Sequence, residues 1–138
     1  MEDKTEILRR ALETAQEIRD LEEQRRQIRE MMDGMQGFDY GKPIVKSSAG
    51  RGSVESTALK AAALEERIQE KIGALLEIRA QAARVIDVLP SGACKSVMVQ
   101  RYLLGKRFED IARELGYSYR HVLRLHSRGI SEIRERCH

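Results

Sequence analysis

Two long stretches of this chain place apolar residues at alternating steps of three and four. That period belongs to a helix with one buried side. The first stretch carries Ile7, Ala11, Thr14, Ile18, Leu21, Arg25, Ile28, Met32 and Met35, with Thr14 and Arg25 as the two breaks in the seam. Leu8, Leu12 and Ala15 widen the stripe at its start. The second carries Ala61, Leu64, Ile68, Ile72, Leu75, Ile78, Ala82, Val85, Ile86 and Leu89, with no polar break. The expected fold is all-α, opening on long helices that form a coiled coil or helical hairpin.

Local signals set the expected boundaries. Asp3 and Glu6 have capping-box spacing ahead of a helix over 4–33. Ser53 is a suitable N-cap for a helix over 53–89, and Glu55 would sit in its first turn, where the helix dipole favours an anion. Pro90, Ser91 and Gly92 end that helix. Between the two lies GMQGFDYGKPIVKSSAGRG, residues 34–52, with five of the ten glycines and one of the two prolines. It reads as a flexible linker. The two seams can meet within one chain or between chains, and both arrangements bury the same residues. One helix pair is a thin core, so self-association as a homodimer is expected.

Charge separates the ends of the chain. Residues 1–33 carry a net −3 and residues 90–138 a net +5. A basic segment points to a polyanionic partner. With 34% charged residues and no tryptophan, long solvated helices are expected rather than one large aromatic core. Cys94 and Cys137 lie far apart, and no apolar run approaches the roughly 18 residues that would cross a membrane. The polar start from Met1 to Glu6 lacks a signal-peptide pattern, so a cytoplasmic location with free thiols, and no membrane partner, is expected.

Residues 90–138 form the expected third region. A helix over 93–104 buries Val97, Met98, Tyr102 and Leu103 or Leu104, and Gly105 suits its C-terminal turn. A short helix over 108–115 follows, with Ile111, Ala112 and Leu115 on one face. Gly116 then supplies a tight turn, and Ser118 can cap a longer helix to Arg136. A short helix, a glycine turn and a longer helix make the pattern of a helix-turn-helix unit, whose second helix enters the DNA major groove.

On a wheel at about 100° per residue, Val122, Leu125, Gly129, Ile130 and Ile133 mark the inner side of that last helix. Arg120, Arg124, Ser127 and Ser131 fall opposite, flanked by Tyr119, His121, Leu123 and Arg128. The segment LGYSYRHVLRLHSRGI, residues 115–130, holds three arginines, two histidines and no carboxylate. Guanidinium groups bind phosphate and guanine edges, whereas carboxylates are repelled by the DNA backbone.

Other chemistry finds little support in the sequence. His121 and His126 are five apart, about 140° around a helix, so they do not share a face as zinc ligands spaced H-x-x-x-H do. No nucleophile elbow, phosphate-binding Walker loop or HExxH sequence occurs. Neither an enzyme nor a metal or cofactor site is expected.

The segment VMVQRYLLGKRFEDIARELGYSYRHVLRLHSRGISEIRE resembles region 4 of bacterial sigma-70 factors. Residues 47–136, about two thirds of the chain, resemble small phage transcriptional regulators carrying such a domain, activators of late or packaging genes among them. The match there rests on SVESTALKAAALEE, a long helix, and QRYLLGKRFEDIARELGYSYRHVLRLH. The resemblance implies a phage- or prophage-encoded DNA-binding transcriptional regulator in a bacterial cell. It places Tyr119, Arg120, His121, Leu123, Arg124 and Arg128 toward DNA. With Ser118 and Ser127, these form the expected interface with double-stranded DNA. Sigma factors carry acidic residues where this chain has Arg120 and His126, so their promoter preference does not transfer. Arg107 stands at the N-cap where Ser or Thr is common. Two other readings are a DNA-recognition subunit of a phage packaging machine, akin to a small terminase, and an adaptor docking on RNA polymerase.

Overall fold

The computed structural model describes residues 3–38 and 48–136, with side chains over 3–34 and 54–136. Among the described residues the chain is all helical. Five helices follow in order: α1 (Thr5–Phe38), α2 (Ser48–Ile86), α3 (Ala93–Tyr102), α4 (Phe108–Leu115) and α5 (Tyr119–Arg136). None of the described helices is long and apolar enough to cross a membrane.

Both long helices extend further into 34–52 than composition suggests. α1 continues to Phe38, and α2 begins at Ser48, so Ser53 lies inside the helix rather than at its cap. Glycine costs only about 1 kcal/mol in a helix interior, whereas proline costs about 3. Gly34, Gly50 and Gly52 are therefore tolerated within helix. Pro43 lies in 39–47, outside the described residues.

At its start α1 takes only half of the expected capping box, because Asp3 caps the helix while the Glu6 carboxylate accepts from Arg9. The Asp3 carboxylate accepts the Thr5 N–H at 2.9 Å. That hydrogen bond, more than any other contact, holds the Asp3 carboxyl below its ordinary range. At the end of α2 the chain leaves the helix three residues before the expected Leu89, through a turn in which the Leu89 N–H meets the Ile86 carbonyl at 3.0 Å.

The chain divides into two compact units, one over Gln16–Gly73 and one made from the described parts of Met1–Ala15 and Ala74–His138. The division falls inside both long helices, not at 34–52 or at Pro90.

Within 16–73, α1 and α2 pack antiparallel in one chain. Leu21, Leu64 and Ile68 are buried together, with Ile28 and Ile72 against them. Charged pairs bracket this seam. Lys71 meets Glu17 at 2.7 Å, and Arg25 Nη1 donates to both Glu65 carboxylate oxygens at 2.9 and 3.1 Å. Arg25, a break in the apolar period, is therefore one of the residues that reach across to α2. The two seams that could have met between chains meet within one.

The other unit has two adjoining apolar clusters. Leu8 of α1 is buried with Ala82 and Ile86 of α2, Leu89, Met98 and Tyr102 of α3, and Ile133 of α5. Val97, Ile111, Ala112, Val122 and Leu125 form the second cluster, where α3, α4 and α5 meet. The first turns of α1 thus share a core with α5. An ion pair reinforces that closure, with Arg134 Nε donating to Asp3 Oδ2 at 3.1 Å.

Candidate nucleic-acid interface

α4 positions the turn that launches α5. Its N-cap, Arg107, offers no side-chain cap, since a guanidinium cannot accept a hydrogen bond. Arg107 Nε instead donates to Asp110 at 3.3 Å, which holds the Asp110 carboxyl below its usual value. At the other end Gly116 adopts φ +71°, a left-handed conformation that a Cβ disfavours. The Tyr117 N–H closes on the Ala112 carbonyl at 3.0 Å. Ser118 Oγ then accepts the His121 N–H at 3.1 Å, capping α5 as its sequence position suggests.

α5 turns a continuous apolar face inward. Val122, Leu125, Gly129 and Ile133 are buried. Gly129 marks the closest approach to α3, for a Cβ there would lie 2.7 Å from Met98 Sδ and 3.3 Å from Cys94 Sγ. The thiol of Cys94 donates to the Leu125 carbonyl at 3.3 Å. Burial, more than the charge of Glu132, pushes that thiol's pKa up, and Arg128 opposes the shift.

The outer face gathers the residues expected to contact DNA. Ser118, Tyr119, Arg120, Arg124, Ser127 and Arg128 are exposed, while His121 and Leu123 are half-buried. Among the described residues, no ion pair engages Arg120, Arg124 or Arg128. The arginines at the C-terminal end of α5 differ, because Arg134 pairs with Asp3 and Arg136 with Glu132. Three guanidinium groups at i, i+4 and i+8 therefore keep their donors free for a phosphate or a base edge.

The two histidines of α5 diverge. His121 meets the Tyr117 ring edge-on, with ring centres 4.8 Å apart. Sequence reasoning passed over Tyr117, although an aromatic beside the Ser118 cap was a visible signal. His126 turns inward, its Nε2 lying 2.5 Å from the Tyr102 hydroxyl and its ring packing edge-on against Phe108 at 5.0 Å. Arg101 covers Phe108 at 4.1 Å and donates to the Lys106 carbonyl at 3.0 Å. Burial first, and the Arg101 charge second, lower the His126 pKa and favour its neutral form. His126 thus ties α5 to α3 and α4.

Asp3 and Leu8 also support α5; the sequence marks one as a cap and the other as part of the α1 stripe, but not as partners of α5, since Asp3 lies 131 positions from Arg134. In comparisons with known proteins, the chain matches no family model, no curated protein and no solved structure.

Proposed function

We propose that this chain is a sequence-specific transcriptional regulator that binds double-stranded DNA. In this reading α4, the Gly116 turn and α5 act as a helix-turn-helix unit of the sigma-70 region 4 type. α5 lies in the major groove, and α3 with the start of α1 braces it from behind. The observation that carries the reading is the exposed, unpaired row of Arg120, Arg124 and Arg128 on a helix whose opposite face is buried. Among the described residues such a row has no ion pair to give up when it meets phosphate, so its charge is spent on the ligand rather than on the fold. With Leu21, Leu64 and Ile68 covered within one chain, self-association through those seams is not proposed.

The test is a duplex-DNA titration of the wild-type chain and the Arg120→Ala, Arg124→Ala double variant, repeated across salt concentrations. Each phosphate contact contributes about −0.9 to the slope of log K against log salt. If both arginines contact phosphate, the variant's slope is shallower by about 2, and if either reads a base, affinity for the preferred sequence falls further. Equal affinity and equal slope for both proteins on every duplex would refute the reading.

A further inference from the structure

The outer face of α5 is not uniformly polar. Leu123 flanks it, half-buried, while its neighbours Val122 and Leu125 are buried. Leu123 belongs to neither apolar cluster of its unit. One turn earlier Tyr119 is 49% exposed and makes no ring contact. Both apolar groups thus border the exposed arginines of this face.

We propose that Leu123 reads the 5-methyl group of a thymine, next to a guanine held by Arg120. This inference rests on the DNA-binding reading above and adds the base chemistry. In the major groove only thymine presents a methyl, and only guanine offers the paired O6 and N7 acceptors that suit a guanidinium. Leu123 lies about 60° around the helix from Arg120 and about 4.5 Å along its axis. That is close to the 3.4 Å rise between stacked bases, so the two side chains address neighbouring steps. Cytosine is a poorer match, because its exposed amino group calls for a carboxylate acceptor and residues 115–131 contain none. Tyr119 borders the same groove position and shields the methyl contact from water.

The experiment selects binding sites for the full chain from a random duplex pool. The recovered site is then remade with uracil replacing one thymine at a time, which removes only the methyl. One position is expected to lose about three- to fivefold in affinity, the worth of burying a single methyl-sized group. With Leu123→Ala that thymine-to-uracil ratio falls to about one, and with Leu123→Met, which keeps an apolar contact, it persists. Helix content by circular dichroism identifies any variant that has unfolded. A wild-type chain indifferent to every uracil substitution overturns the inference while leaving DNA binding intact. So does Leu123→Ala retaining the full ratio. Recovery of no duplex at all defeats the DNA-binding reading beneath it.

Discussion

Leu8→Ala tests whether the start of α1 belongs to the same core as α5. Leu8 is 1% exposed and packs with Ala82, Ile86, Leu89, Met98, Tyr102 and Ile133. The substitution removes buried carbon and leaves a cavity, and Leu→Ala changes of this kind cost roughly 2–5 kcal/mol. Met98 is unbranched and lines the space, so some collapse is expected. We therefore expect about 3 kcal/mol, a large part of the ~5–15 kcal/mol that holds a domain folded. For a chain of this length that lowers the melting temperature by on the order of 10 °C. Urea denaturation followed by circular dichroism measures the loss, taken from the midpoint at constant slope. Leu59→Ala is the control, because Leu59 is 73% exposed and its truncation is expected to stay within about 0.5 kcal/mol. Amide hydrogen exchange locates the effect, with loss of protection expected around Ile133, far from Leu8 in sequence. If Leu8→Ala matches Leu59→Ala in both measurements, the shared core is refuted.

Gly129→Ala gains about 1 kcal/mol of helix propensity but drives a Cβ to 2.7 Å from the sulfur of fully buried Met98. Overpacking of this kind costs roughly 1–3 kcal/mol, so a net loss of about 1 is expected by urea denaturation. The same change made on a Met98→Ala background is expected to stabilise. The neutral His126 ring gives a pH dependence. Its pKa is lowered in the fold, so as pH falls below about 6.5 the unfolded chain takes up the proton first and stability declines. Stability is full above that range, and His126→Gln is expected to flatten the slope between pH 7.5 and 5.5 in denaturation titrations. Cys94, its thiol raised by burial and donating to Leu125, is expected to react with a disulfide reagent at least roughly tenfold slower when folded than in denaturant. A Cys137→Ser background isolates that reading.

Much of the candidate site was legible because its signals are local. Gly116 and Ser118 act within a few residues of themselves, one through its backbone angle and the other through a cap on His121. The wheel of α5 sorted Val122, Leu125 and Ile133 from Arg120 and Arg124, since helical geometry fixes the angle between successive side chains. The ends of the long helices were less legible. Glycine and serine in 34–52 weigh against helix by small increments only, and α1 and α2 run through part of that composition. His126 finds its partners Tyr102 and Phe108 on two other helices, which no local stretch of sequence identifies.

From the sequence alone came the helical class, the two seams, the turn before the last helix and the cationic outer face of that helix. Each follows from periodicity or from backbone chemistry within a few residues. Only the tertiary structure decided that the seams meet within one chain, that Arg25 answers Glu65, and that Asp3 and Leu8 close onto α5. Hydrophobic burial has no direction, so an apolar stripe states that it must be covered without stating by what. The choice of cover is made by shape and charge between residues from 40 to 131 positions apart, and no short window of sequence contains it.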